Sequence, residues 1–387
     1  MKVYHQLGFR YNWNIESFKQ HVGDGLIFSP INMDAEVLFQ KNDALKESSF
    51  LDPQLYLLNE AKGDLDTYPF FPGNFTPDFE TTDLDDYSNI LAEKCINYQL
   101  KNNFQYLVIP TRYYDDNPSS YFPQCTNYSV RPFLKNLADR NISKTTLLSV
   151  IVKKIMLTDI EKRNEVLNWI TGHRQANGVY LIFENDFKTK QIKDFDYLLN
   201  VLKFIRVLKE NGLEVHLGYT NTEAFLYSIA MPDSISIGSY ENLRSFGIKR
   251  FQDLEKNPMR SPNARLYSSK LLQWIDYQYI DAMRDLIPHY EAYFDDSEYR
   301  PLMLKPDFKW HFAKSEPYKH YFVVFDKQIK SLPANQIERI DFVRIEIEKS
   351  IETFKEIQNV IYLDENSDGS HLPTWLNVIK SFQKSLI

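Results

Sequence analysis

The 387-residue chain contains only 12 glycines and two cysteines, and each shortage excludes a class of site. So few glycines argue against long flexible linkers and against a glycine-rich loop that cradles a nucleotide phosphate. Cys95 and Cys125 lie far apart, so they predict neither a disulfide framework nor a metal site. The eight histidines are scattered, without a His-x-His or His-Glu-x-x-His motif. We therefore expect no metal and no cofactor.

Long apolar runs and an excess of basic charge are also lacking. The longest apolar stretch, residues 147–152, is far too short to span a bilayer, and the first residues do not resemble a secretion signal. These features predict no membrane association and a cytoplasmic location. The net charge is −7, so the whole protein does not attract nucleic acid. Any anionic ligand must therefore bind to a local basic region.

Short β-rich runs alternate with longer amphipathic helical runs along most of the chain. We predict eight strands, at residues 25–33, 48–54, 104–110, 146–152, 178–184, 213–219, 234–238 and 264–274. Because helix-capable sequence separates them, parallel pairing with right-handed crossovers is expected. This count predicts an α/β fold, a (β/α)8 TIM-like barrel over residues 1–285. An open, doubly wound parallel sheet is the alternative.

Two segments do not fit this repeat. Residues 64–86 are rich in Pro, Phe and acidic residues and contain no Lys or Arg, which predicts an acidic insertion that covers one barrel end like a lid. Residues 286–387 form a C-terminal α-rich extension that is expected to pack on the barrel. Within it we predict a strand at 320–326, a long helix at 335–358 and a final helix from Thr374.

Catalytic candidates come from the ends of the predicted strands, where barrel enzymes place their active sites. Glu184 ends the apolar run 178–183, so its carboxyl group could be partly desolvated and suited to general acid or base work. Asp186 lies two residues further on, and Asp52 could supply a second carboxylate. Two carboxylates would suit a glycosidic-bond or transferase-type enzyme. A structural salt bridge from Glu184 to Lys153 or Arg112 is the alternative.

Candidate ligand-binding residues follow the same strand ends and are polar with mixed charge. They are Asn32, Arg112, Lys153, Asn221, Glu241 and Arg244. Basic residues dominate the stretch 244–270, which begins just after the strand at 234–238. Many barrels hold phosphate at such a position, so a phosphate-bearing small molecule or nucleic acid is the expected partner. A solvated basic loop and ordinary helix caps are the alternative interpretations.

Residues 214–246, which include VHLGYTNTEAFLYSIAMPDSISIGSYENLRSF, resemble the late strand–helix–strand unit of tRNA-guanine transglycosylase-like TIM barrels. The resemblance covers under a tenth of the chain and implies a TIM barrel. It does not carry over the base-exchange activity, because the family's cysteine–histidine zinc site is missing. The nucleophilic aspartate of the family aligns at best with Ser236.

The leading hypothesis is a barrel that binds a polar anionic ligand at the strand C-termini, such as a nucleotide, a nucleobase or a nucleic-acid fragment. Carboxylate acid–base chemistry would then act on that ligand. The alternative is a catalytically silent barrel that serves as a subunit or scaffold of a multiprotein complex, with protein partners on its aromatic-rich tail and acidic loop.

Overall fold

A computed structural model describes residues 1–76, 78–114, 119–185, 190–252 and 263–386. It contains ten strands: β1 (Lys2–Gln6), β2 (Gly25–Phe28), β3 (Phe50–Leu51), β4 (Leu107–Ile109), β5 (Thr146–Val152), β6 (Gly178–Phe183), β7 (Glu214–Gly218), β8 (Ser234–Gly238), β9 (Arg265–Ser268) and β10 (Gln273–Asp276).

The first eight strands form a single parallel sheet that curls into a nearly closed barrel. Its strand order is β3-β2-β1-β8-β7-β6-β5-β4, so the N-terminal strand lies in the middle of the order beside β8. At the seam between β3 and β4, the backbone N–H of Gln105 donates to the Ser49 carbonyl at 2.8 Å. The predicted (β/α)8 TIM-like barrel is thus confirmed, and a C-terminal group of helices follows it.

Helices connect the strands and cover the outside of the barrel. They are α1 (Tyr11–Lys19), α2 (Ala35–Phe39), α3 (Asp43–Lys46), α4 (Leu84–Lys101), α5 (Tyr121–Cys125), α6 (Arg131–Asp139), α7 (Lys154–Thr158), α8 (Ile160–Gly172), α9 (Phe195–Glu210), α10 (Ala224–Tyr227), α11 (Tyr277–Leu286), α12 (Arg300–Met303), α13 (Glu316–Lys330), α14 (Gln336–Gln358) and α15 (Leu372–Lys384).

The interior of the barrel is a packed core and not a pore. Alternate residues of the strands point inward, and aromatic rings fill most of the space. Phe50 lies at the centre, with ring centroids 5.2 Å from Tyr4, 5.9 Å from Tyr106 and 5.3 Å from Tyr180. The remaining side of each strand packs against the surrounding helices in a second, larger apolar core.

Two strand predictions are wrong, although the barrel itself is right. The prediction omitted β1, which pairs in parallel with both β2 and β8. It also assigned residues 264–274 to the eighth barrel strand. These residues instead belong to β9 and β10, which pair with each other as an antiparallel hairpin outside the barrel. A β-rich run predicts a strand but does not specify its partner, so a local hairpin replaced the predicted barrel pairing.

The C-terminal extension is helical, and the strand predicted at 320–326 is wrong. Those residues form part of α13, whose aromatic side chains are buried on several faces. The helices predicted at 335–358 and from Thr374 are present as α14 and α15. Trp375 of α15 donates its indole N–H to the Ile192 carbonyl at 3.0 Å, which ties the last helix to the segment after β6.

The acidic segment 64–86 packs beside the exit of β2, at the C-terminal end of the barrel. The Tyr68 hydroxyl donates to the Met33 carbonyl at 2.6 Å, and the Ala35 N–H donates to the Thr67 hydroxyl at 2.9 Å. Tyr68 and Phe70 are fully buried, so aromatic side chains anchor the segment despite its many carboxylates. Among its described residues, none lines the cavity that is described below.

None of the helices in the described ranges combines the length and the apolar character that crossing a bilayer requires.

Candidate functional site

A cavity of about 360 Å³ opens where β6, β7 and β8 end. The segments after these three strands supply most of its wall, and the β9–β10 hairpin supplies the rest. Its lining residues are Asn185, Lys190, Gln191, Ile192, Asn221, Glu223, Glu241, Asn242, Arg244, Ser245, Phe246, Gly247, Arg250, Arg265 and Trp274. Three of the predicted ligand-binding residues, Asn221, Glu241 and Arg244, therefore meet in one cavity at the expected end of the barrel.

Arg244 is buried in the cavity wall with only 6% of its surface exposed. Its guanidinium carbon lies 4.1 Å from the Trp274 ring centroid, and its Nη1 donates to the Ser239 carbonyl at 2.8 Å. Among the described residues, no carboxylate lies within ion-pair distance of this guanidinium, and none forms a hydrogen bond with its Nε. Burial lowers the pKa of Arg244 from its usual value, although the group stays charged.

Glu241 also lines the cavity and forms two ion pairs there. Its carboxylate accepts from Lys190 Nζ at 2.5 Å and lies 3.5 Å from Arg265 Nη1. Although partial burial acts in the other direction, the hydrogen bond from Lys190 and the charge of Arg244 lower the pKa of Glu241. Arg265 also pairs through its Nε with Asp276, at the base of the hairpin. The hairpin is therefore attached to the barrel by a chain of ion pairs.

Glu223 is the most perturbed carboxyl group of the cavity. Only 4% of its surface is exposed, and burial raises its pKa to about 7. The backbone N–H of Asn221 donates to its Oε1 at 2.9 Å and, together with the charge of Arg244, opposes part of that rise. A carboxyl group with this pKa exchanges its proton near neutral pH, which is the property of a general acid or base.

The cavity carries more positive than negative charge, although the protein as a whole is acidic. Four cationic side chains line it, those of Lys190, Arg244, Arg250 and Arg265, against two acidic ones, Glu223 and Glu241. Buried donors in its wall also lack hydrogen-bond partners among the described residues, namely Arg244 Nε, Arg265 Nη2 and Trp274 Nε1. Guanidinium and indole N–H groups of this kind hydrogen-bond to phosphate and carboxylate oxygens.

Asp52 lies in a separate, closed position inside the barrel. Its carboxylate accepts from the Tyr56 hydroxyl at 2.7 Å and from Tyr219 at 3.3 Å, and burial raises its pKa to about 6. Phe246 and Phe251 cover Tyr56, with ring centroids 5.3 and 4.7 Å away, and so close the barrel mouth above it. Asp52 is fully buried and does not line the cavity.

Glu184 and Lys153 lie at the ends of β6 and β5 and share a tyrosine. Tyr113 donates to Glu184 Oε1 at 2.9 Å, and its ring centroid lies 4.2 Å from Lys153 Nζ. Neither residue lines the cavity, although Asn185, the neighbour of Glu184, does. Asp186 falls outside the described residues. The structure thus brings Glu184 and Lys153 together at one tyrosine, and both lie, like Asp52, outside the lining of the cavity.

Arg112 and Asn32 contact other elements. Arg112 is buried after β4, where its Nη2 donates to Gln124 at 3.4 Å. Asn32 follows β2 and donates from Nδ2 to the Ser29 hydroxyl at 2.8 Å. Arg244 directly follows a three-residue 3₁₀ turn, Glu241–Leu243. The basic stretch 244–270 lies only partly within the described residues.

Neither family models, nor curated proteins, nor solved structures match this chain. The resemblance of residues 214–246 to tRNA-guanine transglycosylase-like barrels therefore stays a prediction.

Several residues of the cavity were not among the predicted site residues. One sequence feature could have predicted Glu223 as a site residue: it is a single carboxylate directly before the apolar run Ala224–Tyr227. Arg265 lies in the basic stretch 244–270, whose charge was its only signal. Trp274 had no signal, because it reaches the cavity through the hairpin, which the sequence pattern assigned to the barrel. Lys190 lies well beyond the end of β6, whereas the predicted site residues all come from the strand ends.

Proposed function

We propose that this protein binds a small phosphate-bearing ligand in the cavity at the ends of β6, β7 and β8. The carrying observation is the excess of cationic side chains in the cavity, among them the buried guanidinium of Arg244, which has no carboxylate within ion-pair distance among the described residues. Burial of a guanidinium without a carboxylate partner is costly, and a bound anion would offset that cost. The ends of the seventh and eighth strands are also where many TIM barrels hold phosphate.

The size of the cavity favours a compact ligand. A volume of about 360 Å³ lies near the lower end of the range for ligand sites, which suits a single nucleotide or a smaller phosphate ester. Of a nucleic-acid fragment, only one terminal nucleotide would fit into a cavity of this size. The net charge of −7 also gives no long-range attraction for a polyanion.

Glu223 supplies the acid–base group of the proposed site. Its pKa of about 7 means that both protonation states are populated near neutral pH, so it can accept or donate a proton. An anion bound next to Arg244 would favour the protonated carboxyl, because two negative charges in one buried site repel each other. The bound complex would then hold a proton donor beside the ligand.

Calorimetric titration with inorganic phosphate tests the binding proposal. Arg244→Ala should weaken binding by about 1–3 kcal/mol, or about 5- to 150-fold, which is the scale of a lost charge-assisted hydrogen bond. Lys190→Ala removes a half-exposed cation of the same cavity and should weaken binding with less risk to folding.

Arg140→Ala is the matched control. Arg140 is exposed after α6, far along the chain from the cavity residues, and bonds to Asn136 at 3.0 Å. This variant has the same change of net charge and should bind phosphate like the wild type. Equal affinity in all three variants, or no phosphate binding by the wild type, would refute the proposal.

A further inference from the structure

We infer that the ligand is a nucleotide, whose phosphate lies in the cavity and whose base stacks on aromatic side chains beside it. These side chains, here called the aromatic rim, are those of Phe9, Trp13 and Tyr240, together with the guanidinium of Arg10. The inference rests on the proposed phosphate site and names the substrate class of that site. It uses only side chains that are exposed or partly exposed to solvent.

The aromatic rim is a continuous exposed surface. Phe9 lies in the loop between β1 and α1 with 70% of its surface exposed. Trp13 in α1 and Tyr240 after β8 are partly exposed, with ring centroids 6.1 Å apart. The guanidinium carbon of Arg10 lies 4.9 Å from the Phe9 centroid and 5.9 Å from that of Trp13. Single exposed rings are common on protein surfaces, but three that adjoin one cation form a patch able to bind a ligand.

The aromatic rim adjoins the cavity at the same end of the barrel. β1 and β8 pair in parallel, so the segments that follow them leave the sheet side by side. Gly8, directly before the exposed phenylalanine, packs against Leu243 so closely that a β-carbon would lie 2.4 Å from Leu243 Cδ1. Leu243 lies in the chain between Glu241 and Arg244, which both line the cavity. Only one short turn therefore separates the rim from the proposed phosphate site.

A nucleobase matches the chemistry of the aromatic rim. Its planar ring stacks on aromatic side chains, and its edges carry nitrogen and oxygen atoms that accept hydrogen bonds from a guanidinium such as that of Arg10. An aliphatic group would contact the rings but offer nothing to the cation. A nucleotide carries its base and its phosphate on one ribose, so it supplies both groups that the rim and the cavity require.

Two ligands that differ by the base test the inference by calorimetry. Adenosine monophosphate and ribose 5-phosphate carry the same phosphate on the same sugar. The wild type should bind adenosine monophosphate about tenfold more tightly, which is the scale of one base stacked on an aromatic side chain. This comparison uses the unmodified protein, so it does not depend on whether a variant folds.

Phe9→Ala and Trp13→Ala should each reduce this preference by weakening the binding of adenosine monophosphate and leaving that of ribose 5-phosphate nearly unchanged. Phe9→Ala is the safer variant, because this ring is mostly exposed. Tyr362→Ala is the matched control, since Tyr362 is an aromatic residue with 86% exposure in the C-terminal extension. It should keep the full preference.

Equal affinities of the wild type for both ligands would overturn the inference and leave the phosphate site intact. A preference that persists in both rim variants would place the base elsewhere, and one that is lost equally in Tyr362→Ala would not be specific to the rim. Either result overturns the inference. Failure of both ligands to bind the wild type would instead refute the proposed function, and the inference with it.

Discussion

The guanidinium of Arg244 lies 4.1 Å from the centre of the Trp274 ring, so a residue after β8 and a residue of the β9–β10 hairpin form a buried cation–π pair. Tyr321 of α13 lies behind them, with its ring centroid 4.7 Å from that of Trp274. Barrel, hairpin and C-terminal helices therefore meet at one arginine in the wall of the proposed phosphate site.

Arg244→Lys keeps the charge but loses the flat contact with Trp274 and the hydrogen bond to the Ser239 carbonyl. We expect the free energy of unfolding to fall by about 1–2 kcal/mol, as measured by urea denaturation. Phosphate affinity should fall less than in Arg244→Ala, because the positive charge remains. Affinity equal to that of Arg244→Ala would show that the guanidinium geometry, and not its charge, binds the anion.

The carboxyl of Glu223 should make anion binding dependent on pH. Sulfate is a suitable probe because its own charge stays constant from pH 6 to pH 8. Since burial raises the pKa of Glu223 to about 7, this group is mostly neutral at pH 6 and mostly charged at pH 8. Wild-type affinity for sulfate should therefore fall as the pH rises, by about 1 kcal/mol. In Glu223→Gln, affinity should stay nearly constant.

Glu241→Gln provides the control for this titration. Lys190 and the neighbouring arginines keep the pKa of Glu241 low despite partial burial, so it stays ionised over the whole range. Removing the charge of Glu241 should change sulfate affinity by the same amount at pH 6 and at pH 8. The dependence of sulfate affinity on pH should therefore have the same slope in Glu241→Gln as in the wild type. A flat wild-type profile would contradict the assignment of the slope to Glu223.

Asp52 should reduce the stability of the protein as the pH rises. Burial raises the folded-state pKa of Asp52 to about 6, so the native state holds this proton more tightly than the unfolded chain does. Stability is then lost as the pH rises from about 4 to about 6. Asp52→Asn should remove this part of the pH dependence. At pH 8 its free energy of unfolding should equal or exceed that of the wild type, by up to about 2–3 kcal/mol.

Thermal or urea melts across pH 4 to 8 would measure this effect. The same experiment with Glu223→Gln separates the two groups, because the contribution of Glu223 continues to about pH 7. A steeper loss of stability in Asp52→Asn than in the wild type would show that the hydrogen bonds from Tyr56 and Tyr219 outweigh the burial of the charge.

The barrel could be predicted from the sequence because its inner strands are short, fully buried apolar runs. Residues 146–152 and 234–238 were predicted with the bounds that β5 and β8 have in the structure. β1 lacked this pattern, since its sequence KVYHQ carries His5 and Gln6 at buried positions where they pair with other polar groups. The run 320–326 was ambiguous, because a buried helix and a buried strand have the same apolar composition.

The candidate site was predictable only where it depends on strand order. Asn221, Glu241 and Arg244 follow directly after β7 and β8, so a barrel places them at the same end. The positions of Arg265 and Trp274 depend on how the hairpin packs, and no local pattern encodes that contact. Asp52 also follows a strand, but its enclosure by Tyr56, Tyr219 and two phenylalanines arises only from tertiary packing.

Trp375 should contribute to the stability of the cavity wall through its indole N–H. Trp375→Phe leaves the Ile192 carbonyl without its donor and makes the side chain smaller, so the free energy of unfolding should fall by about 2 kcal/mol or more. Trp310→Phe is the control, because Trp310 is half-buried and has no hydrogen bond within the described residues. Urea denaturation of both variants should show a loss in the first only.

The bond between Trp375 and Ile192 also couples the cavity to the docking of the C-terminal helices. Ile192 belongs to the cavity wall, but its partner lies in α15, 183 residues further along the chain. Local undocking of α15 would therefore loosen the wall, and occupation of the cavity should in turn protect α15 from local unfolding.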